Sequence, residues 1–145
     1  MATRSNIGIL NNDNTITSVY CHWDGYPSHN GKILLENYNT EEKVRELLKE
    51  GNISSLEPNC NKPENHSFDK PKKGYTVYYG RDKGELDFKP KTDSALLKQS
   101  MFDNEYGYLF DTNLNQWLII NDNKTYSEKN WMPLKMEMCI IKVKI

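Results

Sequence analysis

The strongest constraint on the fold is a turn-forming run, Asn11-Asn12-Asp13-Asn14, placed between two segments rich in β-branched and apolar residues. These segments, residues 3–10 and 15–21, have the composition of strands. Asn tolerates the positive φ angles that tight reversals need. The pattern therefore predicts an N-terminal β-hairpin, so the rest of the chain must pack around a sheet.

Two helices are predicted after the hairpin, at residues 32–38 and 40–50. Thr40 is a suitable N-cap for the second helix, and Gly51 suits the position just after its end. Apolar residues recur at the i, i+3, i+4 spacing that gives a helix one buried stripe. These residues are Val44, Leu47 and Leu48.

The second half of the chain predicts more strands. Residues 57–73 contain three prolines and few apolar residues, which indicates a long loop. Together with the first half, the pattern predicts an α+β fold with an antiparallel sheet, two helices near residues 31–50 and further strands in the C-terminal half. The later elements are a strand at 75–79, a helical turn at 94–101 capped by Asp93, a hairpin formed by 106–111 and 116–120, and a strand at 138–145.

Length and composition exclude several classes of protein. A chain of 145 residues predicts a single domain over residues 1–145. The formal net charge of −1 argues against a protein that binds nucleic acid polymers non-specifically. No apolar run approaches the length of a membrane span, and residues 1–10 do not resemble a signal peptide, so we expect no membrane partner. Three widely spaced cysteines favour an intracellular protein with reduced thiols.

The main candidate site follows the second predicted strand, where two histidines, a carboxylate and two large aromatic residues fall within eight positions. One interpretation is acid–base or metal-dependent hydrolysis by His22, Asp24 and His29. Their spacing matches no metal signature, and a third firm ligand is missing, so we expect neither catalytic nor metal-binding residues. Cys21 and His22 do not form a catalytic pair, since adjacent strand residues point to opposite faces.

A binding site is the better interpretation of this segment. Trp23 and Tyr26 have rings that stack on nucleobases, at roughly 1–3 kcal/mol per base. His22, Asp24 and Asn30 have donors and acceptors that suit base or ribose edges. The structural alternative is that Trp23 packs in the core while Asp24-Gly25 forms a turn.

Three cations are candidates for phosphate contacts. Lys32 follows Gly31 at a predicted helix start, where free backbone N–H groups attract anions, although an ordinary helix cap explains it equally. Arg4 lies in the first strand and needs an anionic partner, either a phosphate or a carboxylate such as that of Asp24. Arg81 follows a strand and suits a bidentate phosphate contact, with an exposed ion pair to Asp82 as the alternative.

Several strings resemble a large family of small bacteriophage proteins, and the most specific is Cys21-His22-Trp23-Asp24-Gly25-Tyr26-Pro27. This family is similar to the anti-CBASS sponges, the fourth type described, which bind cyclic nucleotide immune signals without cleaving them. The resemblance spans roughly residues 1–111. The matching strings lie at residues 1–9, 20–27, 30–35, 51–56, 79–85 and 108–111.

The resemblance implies a phage immune-evasion protein that is not an enzyme and needs no cofactor. It would sequester a cyclic dinucleotide such as 3′3′-cGAMP in the host cytoplasm, as a homo-oligomer. From the residues, we expect ligand contacts from Arg4, His22, Trp23, Asp24, Tyr26, Asn30, Lys32 and Arg81. Two alternatives stay open: a phosphodiesterase that cleaves such a nucleotide, and an inhibitor that binds a host defence protein through a Tyr-rich surface.

Overall fold

The fold is built on a mixed β-sheet with two helices packed on one face. This computed structural model describes residues 2–86, 88–97, 101–121 and 131–136. Those residues form eight strands in one sheet. The elements are β1 Ser5–Leu10, β2 Thr15–Cys21, α1 Lys32–Asn37, α2 Glu41–Leu48, β3 Ile53–Ser55, β4 Val77–Tyr78, β5 Lys91–Ser94, β6 Tyr106–Asp111, β7 Gln116–Asn121 and β8 Met132–Pro133.

The N-terminal hairpin and both helices are confirmed. β1 and β2 pair antiparallel, and Asn14 takes the positive φ of 64° in the reversal. The hydroxyl of Thr40 accepts a hydrogen bond from the backbone N–H of Lys43 at 3.2 Å, as expected of an N-cap. Gly51 follows α2 with a φ of 87°, a conformation that favours glycine.

The α+β class is confirmed, but the sheet is not antiparallel throughout. Its order is β4-β3-β2-β1-β6-β7-β8, with β5 also paired to β2. β1 pairs parallel to β6, and β2 pairs parallel to β3. Turn signals report only hairpin neighbours, which are antiparallel, whereas parallel neighbours are joined by long connections that leave no local pattern.

The helix-covered face holds the larger core. Side chains from β1, β2, β6 and β7 pack there against α1 and α2. Buried polar groups on this face are paired: Trp117 Nε1 donates to the carbonyl of Tyr38 at 2.8 Å, and the Tyr78 hydroxyl donates to the carbonyl of Leu47 at 2.6 Å. The buried residues include Ile7, Ile9, Val19, Cys21, Leu34, Val44, Leu47, Tyr108, Phe110 and Ile119.

The opposite face carries a smaller apolar cluster. Ile16, Phe102, Leu109 and Ile120 form it. The ring of Phe102 lies against two glycines of neighbouring strands, Gly8 and Gly107. This small cluster contains neither Tyr20 nor Asn6, which face one another across the β1–β2 pair.

The four elements predicted in the second half of the chain agree with the structure only in part. Residues 106–121 form the predicted hairpin, and the predicted strand at 75–79 is the shorter Val77–Tyr78. The predicted helical turn at 94–101 starts one residue late, because Ser94 ends strand β5 and Ala95–Leu97 form a 3₁₀ turn. Residues 98–100 of this prediction lie outside the described residues. The predicted strand at 138–145 lies outside the described residues. No helix in the described ranges is long and apolar enough to cross a membrane.

Candidate functional site

The segment after β2 is held to its neighbours by backbone hydrogen bonds. The N–H groups of His22 and Trp23 donate to carbonyls of β3, each at 3.0 Å. Asp24 then turns the chain with a φ of 56°, and the N–H of Gly25 donates to the carbonyl of Thr3 at 2.8 Å. The aromatic residues of this segment therefore stand on a fixed backbone, although no regular strand continues here.

Three aromatic side chains form a continuous row at the end of β2, which we call the aromatic row: Tyr20, His22 and Trp23. The Tyr20 hydroxyl lies 2.6 Å from Nδ1 of His22. The rings of His22 and Trp23 meet edge to face with centroids 4.7 Å apart. The Trp23 side chain is 44% exposed, so it is not the core tryptophan of the structural alternative.

A second exposed aromatic lies just beyond the turn. Tyr26 is 38% exposed, and its hydroxyl donates to Oδ1 of Asp24 at 3.3 Å. The negative charge of Asp24 raises the pKa of the Tyr26 phenol above its ordinary value. Asp24 therefore holds one aromatic ring in place while one carboxylate oxygen is left for other contacts.

Asn30 is buried inside the fold, and its side chain forms hydrogen bonds that hold this segment in place. It is 0% exposed. Its amide nitrogen donates to the carbonyl of Trp23 at 3.3 Å and approaches the Sγ of Cys21 at 3.4 Å, while its Oδ1 lies 2.8 Å from Nδ1 of His29. The structure thus places Asn30 away from the exposed rings, where it positions the loop.

The three residues of the hydrolytic alternative do not meet one another. His22 is paired with Tyr20, Asp24 with Tyr26, and His29 with Asn30. Burial raises the pKa of the Cys21 thiol to about 12, so this cysteine is not a nucleophile at neutral pH. Among the residues that the structure describes, no three His, Cys, Asp or Glu side chains are grouped to hold a metal ion.

The predicted cations occupy three separate places. Arg4 is half-exposed and forms a long ion pair with Glu105 at 3.7 Å, and its backbone packs against Gly25. Lys32 is exposed, but its backbone N–H donates to carbonyls of the π-helical turn Pro27–Gly31 that runs into α1. The backbone cradle expected there is therefore occupied, while the ammonium group remains exposed.

Arg81 is tied up within the protein. Its guanidinium forms an ion pair with Asp82 at 2.9 Å, and the two side chains are 14% and 0% exposed. It also donates to the carbonyl of Cys60 at 2.7 Å and stacks over the ring of Tyr78. The ion pair of the structural alternative is present, although it is buried rather than exposed, and Arg81 does not join the aromatic row.

An open cavity of about 310 Å³ lies beside the aromatic row, and no sequence pattern indicated it. Tyr20 is part of the aromatic row and also lines the cavity. The cavity depends on how β5 and residues 101–103 pack against the sheet, and a local sequence pattern carries no signal for such packing. The residues that line it are Asn6, Ser18, Val19, Tyr20, Asn52, Lys91, Asp93, Leu97, Met101 and Asp103.

Comparisons with known proteins identify no relative. No protein-family model, no curated protein and no solved structure matches this chain. The resemblance to small phage proteins therefore stays a prediction.

Proposed function

We propose that this protein is a phage immune-evasion protein that binds a cyclic nucleotide signal in the host cytoplasm and holds it without cleaving it. A cyclic dinucleotide such as 3′3′-cGAMP is the expected ligand. The observation that carries the proposal is the aromatic row, in which Trp23 is held edge to face against His22 and yet is 44% exposed. A large ring that is fixed and solvent-accessible suits stacking on a base, because it loses little freedom on binding.

Neighbouring groups supply polar contacts for the same ligand. Asp24 has an oxygen free of its hydrogen bond to Tyr26, and carboxylates accept from base N–H and ribose hydroxyl groups. Tyr26 offers a second exposed ring. Asn30, which is buried, supports these residues instead of touching the ligand.

Phosphate contacts are assigned to Arg4 and Lys32. The Arg4–Glu105 pair is long and exposed, and such pairs contribute little stability, so a phosphate competes well for the guanidinium. Lys32 has an exposed side chain. Arg81 is excluded from this role, because moving it would leave the buried carboxylate of Asp82 without its partner.

The hydrolytic alternative is less well supported, because His22, Asp24 and His29 are each bound to a different neighbour. A sponge needs affinity and no catalytic group. We also propose a symmetric homo-oligomer, which predicts one species heavier than 17.0 kDa in light scattering. A clean monomer at high concentration would contradict that part of the proposal.

The test incubates the purified protein with a panel of cyclic nucleotides, removes free ligand, denatures the protein and identifies what is released. We expect intact ligand at a fixed ratio to protein. Trp23→Ala removes one stacking surface and should weaken binding about 5- to 150-fold, which corresponds to roughly 1–3 kcal/mol per base. Leu114→Ala is the matched control, since Leu114 is 60% exposed on the β6–β7 turn.

Each other outcome would contradict the proposal in a different way. Release of a linear product would favour the phosphodiesterase, with His22 as the first residue to replace. No retention and no product across the panel would exclude a nucleotide ligand and favour an inhibitor of a host protein. Equal losses for Trp23→Ala and Leu114→Ala would place the ligand away from the aromatic row.

A further inference from the structure

The open cavity beside the aromatic row has a polar floor. Asn6 and Tyr20 face each other across β1 and β2, and Ser18 lies next to them on the same face. Tyr20 connects this floor to the aromatic row through its hydroxyl, which lies 2.6 Å from His22. A ligand that stacks on Trp23 can therefore also reach the polar cavity, because Tyr20 belongs to the aromatic row and lines the cavity.

The orientation of the Asn52 side-chain amide is fixed by a neighbouring backbone N–H, so its N–H₂ donor can be located. The backbone N–H of Tyr20 lies 2.9 Å from the Asn52 side chain, and an N–H can only donate, so the atom that faces it is Oδ1. The amide nitrogen therefore occupies the other position. Within the described part of the chain, this nitrogen has no hydrogen-bond partner. The backbone of Asn52 is also held, by Phe88 and Tyr79.

The rim of the cavity carries acceptors. Asp93 lies on β5 opposite Ile16 of β2, and Oδ1 of Asp93 accepts from the N–H of Ser94 at 2.8 Å, which leaves its other oxygen available. Asp103 has an exposed carboxylate. Ionised carboxylates only accept hydrogen bonds. Lys91 also lines the cavity and provides a cation for a phosphate of the nucleotide whose base is bound there.

This combination of groups distinguishes the two purines. Guanine offers two adjacent donors, N1–H and the exocyclic amine, next to the acceptors O6 and N7. A carboxylate can accept from both donors while an amide N–H₂ group donates to an acceptor. Adenine instead presents an unprotonated ring nitrogen beside its amine, and this nitrogen would face the carboxylate lone pairs without a hydrogen.

We propose that the cavity lined by Tyr20, Asn52, Asp93 and Asp103 is a base-selective subsite for guanine. This inference rests on the proposed function, whose ligand it narrows to cyclic nucleotides that contain guanine. Asn52 donates to O6 or N7, and a rim carboxylate accepts from N1–H and the amine. The volume of about 310 Å³ is at the lower end for ligand pockets, so the cavity takes one base, and the second base stacks on Trp23.

The test measures dissociation constants for c-di-GMP, 3′3′-cGAMP and c-di-AMP by calorimetry on the full chain. We expect both guanine ligands to bind more tightly than c-di-AMP, by about 5- to 150-fold for one correctly read base. Asp93→Asn and Asp103→Asn are compared with Asp69→Asn, an exposed acidic residue outside the cavity. At least one rim variant should lose most of the guanine preference while c-di-AMP binding changes by less than about two-fold.

The outcomes separate this inference from the proposed function. If c-di-AMP binds as tightly as the guanine ligands, or if both rim variants keep the full preference, the guanine subsite is wrong while a sponge remains. If none of the three ligands binds, the proposed function fails, and the subsite fails with it. If Asp69→Asn lowers the preference as much as the rim variants do, the effect is general electrostatics and the subsite is overturned.

Discussion

Gly25 is a residue of the candidate site that leaves no room for a larger side chain. A Cβ atom at this position would lie 2.9 Å from the carbonyl oxygen of Thr3 and 3.1 Å from the carbonyl carbon of Arg4. Both are backbone atoms of the segment that leads into β1, so neither moves aside as a flexible side chain would. Close packing of two backbones, rather than an unusual φ angle, requires glycine here.

Gly25→Ala should therefore lower the free energy of unfolding by about 1–3 kcal/mol, the usual cost of overpacking. It should also weaken ligand binding, because the turn that carries Trp23 and Tyr26 must shift. Gly80→Ala is the control, since the nearest atoms to a Cβ there are 3.7 and 3.8 Å away. Urea denaturation measures both variants, and equal losses would contradict the packing argument.

The loop at residues 57–73 is organised around a buried ionic group. The N–H of Lys72 donates to Nδ1 of His66 at 3.0 Å, so Nδ1 carries no proton. Nε2 of the same ring lies 3.2 Å from the carbonyl of Thr76 and 3.4 Å from Oδ2 of Asp82. Asp82 also accepts from the backbone N–H of Tyr78 at 2.8 Å. These contacts join the loop to β4.

Asp82→Asn should lower the free energy of unfolding by about 3–5 kcal/mol, because it removes the partner of the largely buried guanidinium of Arg81. It should also open the loop to limited proteolysis within residues 57–73. Asp69→Asn, in the same loop but exposed, is the control and should change stability by less than about 0.5 kcal/mol. A variant with normal stability and normal protease resistance would show that the ion pair does not hold the loop.

Elements with a local signal could be predicted from the sequence. The hairpin around residues 11–14, the helices, and the hairpin at 106–121 each have a turn signal or a helical repeat of apolar residues. β5 lacks such a signal, because Lys91–Ser94 is polar and three of its four residues are exposed. Its place in the sheet comes from backbone pairing with β2 and from contacts such as that between the hydroxyls of Thr17 and Thr92 at 2.9 Å.

The candidate site could be predicted in part. The cluster of aromatic residues at 22–26 could be predicted, because residues that are neighbours in sequence remain neighbours in space. Asn30 and Arg81 have the right chemistry for ligand contacts, but residue type does not report burial, and both are used inside the fold. The cavity at Asn52 joins segments far apart in the chain, so it needed the structure.

The whole molecule should lose stability at alkaline pH. Burial raises the pKa of Cys21 to about 12, from 9.0, and raises the pKa values of Tyr38 and Tyr78 as well. Above about pH 9 the unfolded chain loses these protons while the folded chain keeps them. The unfolded state then binds fewer protons, so the free energy of unfolding falls as pH rises, by up to about 1.4 kcal/mol per pH unit for each group.

Urea midpoints at about pH 8 and about pH 10 test this slope. Cys21→Ala removes the thiol that titrates first, so its stability should fall less steeply over this range, although its stability at neutral pH is lower. Between these two values the folded thiol stays protonated, and its stabilising contribution is complete only below about pH 9. Parallel curves for the two proteins would show that the thiol ionises equally in both states.

The parallel pairing of β1 with β6 has a consequence for how a new chain folds. Ser5 pairs with Tyr106, so these partners are separated by 101 positions. Contacts this distant in sequence form slowly. At a synthesis rate of about 5–20 residues per second, β6 leaves the ribosome roughly 5–20 s after β1. For that interval one edge of β1 has no partner strand, so the nascent hairpin is open to aggregation through that edge until β6 arrives.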